Sequence, residues 1–292
     1  MKIMSLSKRV EFNARSCVPI IVVASLGLWH SAGLSSSALE LTLNGTFMQG
    51  GLVVGRVLPG SKVMFEGRSI RVSDQGGFVI GFGRDEPSRT GLKVRYPNGK
   101  TEQRQLTVGQ RQFKIQRIDG LPPSQVTPKA EDLKRINKEA ALIRNKRRID
   151  GANTDFLTGF TWPVDGQISG VYGSQRVLNG TPKRPHYGVD IAASTGTPVR
   201  APAPGMVSLV YPDMYFTGGT VMVDHGHGLS SIFIHLSKTH VTEGQRVERG
   251  DIIAEVGATG RATGPHLHWG MNWFDRRLDP QLIVGSMSAA GK

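Results

Sequence analysis

The chain has 292 residues, 38% hydrophobic and 20% charged, with a formal net charge of +13. That length suits two modest domains of an ordinary soluble chain. The positive balance draws it to polyanions, but the absence of a helix-turn-helix pattern, zinc-finger spacing or base-stacking motif excludes nucleic acid as the partner, which leaves anionic envelope surfaces.

The N-terminus reads as an export signal. Lys2, Lys8, Arg9 and Arg15 precede an apolar run from Val18 to Trp29, too short to span a bilayer comfortably. Small residues follow, with Ser36 and Ala38 fitting a small-x-small cleavage pattern, so residues 1–38 are assigned as a secretory signal peptide. The competing reading is an uncleaved membrane anchor. No other long apolar run exists, and the mature protein is expected to be soluble, exported and periplasmic. Cys17 is the only cysteine and precedes the apolar run. A metal in the mature chain would therefore be held by His, Asp or Glu, never by thiolate.

Residues 39–120 predict a small β-sandwich-like accessory domain. Apolar and polar residues alternate over 51–57 and 62–66, and the rhythm continues over 69–72, 77–80, 91–96, 102–108 and 112–118. Turn sequences such as Pro59-Gly60 and Asn98-Gly99 separate the runs, and the 37 glycines of the chain fit many tight turns. No cluster of titratable groups here reads as chemistry, which favours a binding or spacing module.

Residues 121–153 predict a linker. Leu121-Pro122-Pro123 breaks the strand pattern, and a basic amphipathic helix follows over about 128–148. Leu133, Ile136, Ala140 and Ile143 fall on one helical face, Thr127 is placed to cap the start, and Pro128 suits the first turn. The Lys- and Arg-rich opposite face reads as a solvated surface, or alternatively as a patch for wall polymer or lipid headgroups.

Residues 154–284 predict a second β-rich domain of short, glycine-punctuated strands over 166–172, 187–191, 206–211, 220–225, 229–235, 252–256 and 266–273. Apart from His30, every one of the eight histidines lies here, between His186 and His268. Two clusters have metal-ligand character: His186-Tyr-Gly-Val-Asp190 and His266-Leu-His268. In a strand, positions i and i+2 share a face, so His266 and His268 present two imidazoles side by side. If His186, Asp190 and His268 bind one ion, three protein ligands leave a fourth position for water, the arrangement of catalytic rather than structural zinc. His235 and His266 remain to move protons or stabilise an oxyanion.

Several stretches resemble the lysostaphin/LytM family of zinc peptidases. They are Val171-Tyr172-Gly173-Ser174-Gln175-Arg176, the His186-to-Asp190 cluster, Gly196-Thr-Pro-Val-Arg-Ala-Pro-Ala-Pro-Gly205, Val223-Asp-His225-Gly, Phe233-Ile-His235-Leu-Ser237, Val247-Glu-Arg-Gly-Asp-Ile-Ile253, and the long run from Val256 to His268. They keep the family's order from about Trp162 to Pro280. The resemblance implies an antiparallel β-sheet with a groove over a zinc ion held by His186, Asp190 and His268. It implies His266 as acid/base and His235 as its partner, and peptidoglycan stems or cross-links as substrate. Phe233 departs from the Tyr that many relatives carry, which implies altered packing or substrate preference.

Blander readings hold elsewhere. His225 and His227 read as structural, His240 as solvent-facing, and Arg176 as either a groove residue or a salt-bridge partner. Trp162, Trp269 and Trp273 read as core, and the Gly257–Gly264 run lacks the lysine of a phosphate loop. Two functional alternatives stand beside the zinc endopeptidase: a non-catalytic activator whose groove binds another wall hydrolase, and an exported protease of glycine-rich proteins.

Overall fold

The computed structural model describes residues 41–120 and 126–287; the segment assigned as a signal peptide and the Pro-rich break at 121–123 lie outside them. The chain is mainly β, as the strand-length alternation predicts. Among the described residues, no helix is long and apolar enough to cross a membrane.

Two small antiparallel sheets come first. In one, Leu52–Arg56 runs between Thr42–Gly45 and Gly77–Gly81. In the other, the order is Arg68–Ile70, Lys62–Phe65, Arg89–Arg95 and Thr101–Thr107. Within Arg89–Arg95, buried Thr90, Leu92 and Val94 alternate with exposed neighbours, the two-residue period of a half-buried strand. Gly55 is required where the sheet is tightest: a Cβ there would lie 2.1 Å from the ring of Phe78, its cross-strand partner.

The strand Ile115–Ile118 does not join these sheets. It pairs in parallel with Gln175–Leu178, Gln175 opposite Ile115, and Gln175–Leu178 pairs in turn with Thr181–Pro182.

The helix spans Ala130–Lys146, shorter than the pattern predicts. Its N-cap is Lys129, with no side-chain cap, so Thr127 and Pro128 lie ahead of the helix. Ile143 is buried with Leu209, Met222 and Ile232, whereas Leu133 is 45% exposed and lies outside the packed stripe. Glu139 is buried instead, accepting from Arg135 Nε at 2.7 Å and from the Tyr215 backbone N–H at 2.9 Å.

An eight-stranded antiparallel sheet carries His225, His235, His266 and His268. Its strands run in the order Arg246–Val247, Gly205–Met214, Gly218–Gly226, Leu229–Leu236, His266–Trp273, Val189–Ala192 and Gln167–Gly170, and Arg276–Leu278 also pairs with His266–Trp273. Val221, Phe233, Leu267, Trp269 and Trp273 are fully buried on it. Trp273 meets Phe65 of the N-terminal sheets at 5.8 Å between ring centroids, so one hydrophobic core runs through both parts. Trp162 and Trp269 meet edge to face at 5.7 Å, the core role expected of them.

Candidate active site

Strand register brings together residues far apart in sequence. Asp190 and His268 are direct cross-strand partners, and His266 sits opposite Ala192 two residues along the same strand. His186 precedes the Val189–Ala192 strand and is pinned by its backbone: its N–H donates to Ser174 O at 2.9 Å and its carbonyl accepts from Gly173 N–H at 2.7 Å. Between them, Gly188 leaves room for the ligand cluster, since a Cβ there would lie 2.7 Å from His268 Nε2.

His235 arrives by a different route. Strict alternation would put it on the buried face with Phe233. Its φ of 65° breaks that alternation, in the left-handed region that non-glycine residues seldom occupy. Its ring lies 4.8 Å from that of His266 and 6.4 Å from that of His268, centroid to centroid. A backbone outlier of this kind is held by its surroundings, here by the His235 N–H bonded to Thr217 O at 2.8 Å and by Nδ1 on Thr259 O at 2.8 Å.

Three ligand atoms converge. His186 Nε2 lies 2.9 Å from Asp190 Oδ1 and 2.9 Å from His268 Nδ1, and His268 Nδ1 lies 2.7 Å from the same Asp190 oxygen. His186 Nδ1 is 3.0 Å from Val171 O, which fixes the N–H on that side and turns a lone pair at Nε2 toward the cluster. With neutral imidazoles, one N–H proton on His268 is then available among three acceptors. Such a cluster is completed by a cation, and two nitrogens with one carboxylate oxygen match the donor set of a zinc site. Burial would raise the Asp190 pKa, but the contacts with the His186 and His268 ring nitrogens outweigh it and hold the carboxyl well below its usual range. Burial pushes the His268 imidazole down to about 4, against the opposing pull of Asp190, so it stays neutral and ligand-competent at pH 7.

The second oxygen of Asp190 is held by Arg176, whose Nη2 lies 3.2 Å from Oδ2. Arg176 thus takes both of the roles the sequence left open, ion-pair partner and groove residue.

His266 and His235 face the same groove in the same tautomer. His266 Nδ1 lies 2.8 Å from Gly264 O and His235 Nδ1 lies 2.8 Å from Thr259 O, so each donates its N–H to a carbonyl and turns Nε2 outward. His266 Nε2 is 3.8 Å from Asp190 Oδ1. Burial, aided by the neighbouring His268 and His266, pushes His235 down to about 3, which keeps it neutral.

Other histidines are structural. His225 is buried, bonded to Pro204 O at 2.7 Å and Ser231 Oγ at 2.9 Å. His227 packs against Phe156, and exposed His240 pairs with Glu255 at 2.9 Å. Phe233 is buried beside Trp269 and does not reach the groove, so its difference from Tyr is a matter of packing. Sequence reasoning passed over Arg261 and the carbonyls of Thr259 and Gly264. The Gly257–Gly264 run that fails as a phosphate loop supplies them all.

The peptidase family M23 profile matches residues 184–280. Over 100 residues the chain is 45% identical to an uncharacterized metalloprotease of Haemophilus influenzae, covering 34% of this chain and 21% of that protein. Over 112 residues it is 41% identical to the peptidoglycan DD-endopeptidase ShyA of Vibrio cholerae, covering 37% and 26%. The chain thus spans about a fifth to a quarter of the length of these curated relatives. It is also similar to a solved M23 peptidase structure from Pseudomonas aeruginosa, with a TM-score of 0.64 and 33% identity over 83% of this chain and 96% of that one. A likeness that spans nearly all of that solved relative, together with the matched profile over the histidine cluster, places this chain in peptidase family M23.

Proposed function

We propose that the protein is an exported zinc endopeptidase that hydrolyses peptide bonds in peptidoglycan stems or cross-links. The observation that carries the reading is the convergence of His186 Nε2, Asp190 Oδ1 and His268 Nδ1 on one point, beside two imidazoles that turn Nε2 to the same groove. The similarity to a relative named a peptidoglycan DD-endopeptidase supports the substrate class, and the similarity to a metalloprotease supports the metal. Export rests on the signal-like residues 1–38.

His186, Asp190 and His268 would hold the zinc. Zinc there supplies Lewis acidity toward a carbonyl oxygen and makes water easier to deprotonate. The chain's own groups do the rest. His266 Nε2 accepts the proton of the attacking water and returns it to the leaving amine. The sequence leaves His235 to move protons or to stabilise an oxyanion, but its N–H is committed to Thr259, so in its neutral form Nε2 only accepts. His235 therefore orients the attacking water by accepting one of its protons, and becomes an oxyanion donor only once protonated. Arg176 orients Asp190 through its second oxygen, as partners behind metal ligands do.

The test is a muropeptide profile of purified peptidoglycan digested with the zinc-loaded full chain, beside His268→Ala. Cross-linked dimers are expected to fall and monomers to rise only with the intact chain, and a chelator should abolish the change. A profile that stays constant while zinc is bound would refute the endopeptidase reading and favour the groove-binding activator.

A further inference from the structure

The helix Ala130–Lys146 lies outside the residues that match the peptidase profile, yet it reaches the site through one turn. It docks on residues 215–217, which join the strands Gly205–Met214 and Gly218–Gly226. Ile136, Ala140 and Ile143 of the helix and Met214, Phe216 and Thr217 beside them enclose a mainly apolar hollow of about 90 Å³. One buried carboxylate stands among these contacts. Glu139 Oε2 accepts the Tyr215 N–H at 2.9 Å, and Oε1 accepts from Arg135 Nε at 2.7 Å, while Arg135 Nη2 donates to Asp213 Oδ2 at 3.1 Å. Burying a carboxylate is costly, and an apolar side chain would dock the helix as well. What the carboxylate adds is direction, because it fixes the backbone of the turn at one N–H.

That turn carries the frame of His235. Thr217 O accepts the His235 N–H at 2.8 Å. Phe216 O accepts the Arg261 N–H at 2.9 Å, and the Arg261 guanidinium carbon stands 4.4 Å from the centroid of the Phe216 ring. The end of the turn is pressed against the same loop: a Cβ on Gly218 would lie 2.1 Å from Thr259 Oγ1, and one on Gly260 2.4 Å from Gly218 N. Thr259 O in turn holds His235 Nδ1 at 2.8 Å. Both the backbone and the ring of His235 are therefore fixed by groups that rest on the turn. His235 needs such a frame, since its φ of 65° is a conformation that a non-glycine residue leaves when its surroundings allow.

We propose that Glu139 is a positioning residue for His235. By fixing the Tyr215 N–H it holds Thr217 O and Phe216 O in place. Through them it holds the left-handed backbone of His235 and the loop that orients its ring. The helix is then a working part of the site's frame, supplied from outside the peptidase profile, and more than a spacer between two sets of strands. This role rests on reading the site as that of a peptidase in which His235 orients the attacking water.

The zinc-loaded full chain is compared with Glu139→Ala and Glu139→Gln. The readouts are amide hydrogen exchange by NMR, chelator competition for zinc, and steady-state cleavage of a purified cross-linked muropeptide dimer. In Glu139→Ala the His235 N–H is expected to exchange roughly tenfold faster or more, while the Val53 N–H in the N-terminal sheets keeps its rate. kcat should fall roughly ten- to a hundredfold, the cost of a misplacement on the order of 1 Å, with KM and zinc affinity within about twofold of wild type. Glu139→Gln keeps an oxygen for the Tyr215 N–H but loses the ion pair with Arg135, and should restore most of the protection and of kcat. Should Glu139→Ala fail to fold, Ile136→Ala, which enlarges the hollow beside the same turn, takes its place with the same expectations. Unchanged exchange at His235, or exchange that quickens equally at Val53, overturns the proposal. So does an unchanged kcat in a protein that cleaves, a loss that Gln does not restore, or a loss carried by KM or zinc affinity. Protection at His235 that is lost in Ala and kept in Gln, in a wild type that cuts no muropeptide, sinks the peptidase reading and keeps the positioning of His235.

Discussion

Asp224 and His225 are adjacent, buried and titrate in opposite senses. Burial, with the charges of Asp155 and Asp150 behind it, raises Asp224 from 3.8 to about 6, although the Gly226 N–H at 3.0 Å from Oδ1 pulls the other way. Burial lowers His225 from 6.5 to about 4. For Asp224 the folded state holds the proton more tightly, so stability falls as pH rises from about 4 to about 6, and the loss is complete above that. At 1.36 kcal/mol per unit, the cost at pH 8 is on the order of 3 kcal/mol. For His225 the unfolded state binds the proton more tightly, so stability rises by a similar amount between about pH 4 and 6.5. The two slopes nearly cancel in the wild type. Asp224→Asn keeps an oxygen for the Gly226 N–H and removes the charge. The variant should be more stable than wild type at pH 8, by up to about 3 kcal/mol, and equal to it at pH 4. It should also expose a steep acid-side slope that the wild type lacks. Urea titrations of both proteins at pH 4, 6 and 8 measure this. A stability difference that is the same at pH 4 and pH 8, or a variant weaker at pH 8, would refute the burial argument.

Three further outcomes follow from the site. Gly170→Ala would put a Cβ 2.2 Å from Asp190 Oδ2, so metal analysis after dialysis should find zinc lost while the circular dichroism spectrum is retained. Arg176→Met should weaken zinc by roughly 10–100-fold in a chelator competition, the usual cost of losing a partner behind a metal ligand; an unchanged affinity would mean that Arg176 does not hold Asp190 for the metal. Glu139→Ala removes the acceptor of the Tyr215 N–H and of Arg135, and should cost roughly 1–3 kcal/mol in denaturant unfolding, since two part-buried hydrogen bonds to a charged acceptor are lost.

Much of the candidate site was legible because its chemistry is local. The histidines crowd one stretch of chain, and the i, i+2 spacing of His266 and His268 needs only a strand to put both on one face. The cross-strand pairing of Asp190 with His268 is a register, set by turns and by the burial of Val189, Ile191, Leu267 and Trp269, and no spacing in the sequence states it. His235 could be placed only by resemblance, because a single left-handed residue overrides the period that would send it to the core. Arg261 was missed because a guanidinium on a glycine-rich loop has no local signal; stacking on Phe216 gives it a position. The strands of the small sheets followed their alternation, whereas the helix start did not follow Thr127 and Pro128. There, packing of Ile143 and Glu139 against the strand Gly205–Met214 and its exit decides the helix, and the first turn is left uncapped.

The parallel strand Ile115–Ile118 has a consequence for anyone who shortens this protein. It satisfies the outer backbone groups of Gln175–Leu178, a strand whose neighbour His186 is fixed by Ser174 and Gly173. A fragment beginning at Thr154 would lose that cover and present a bare strand edge, with unpaired N–H and C=O groups a few residues from a proposed zinc ligand. Such edges recruit other chains. The shortened protein would then tend to self-associate through Gln175–Leu178, and its lowered activity would reflect a blocked edge, although every residue of the site were still present.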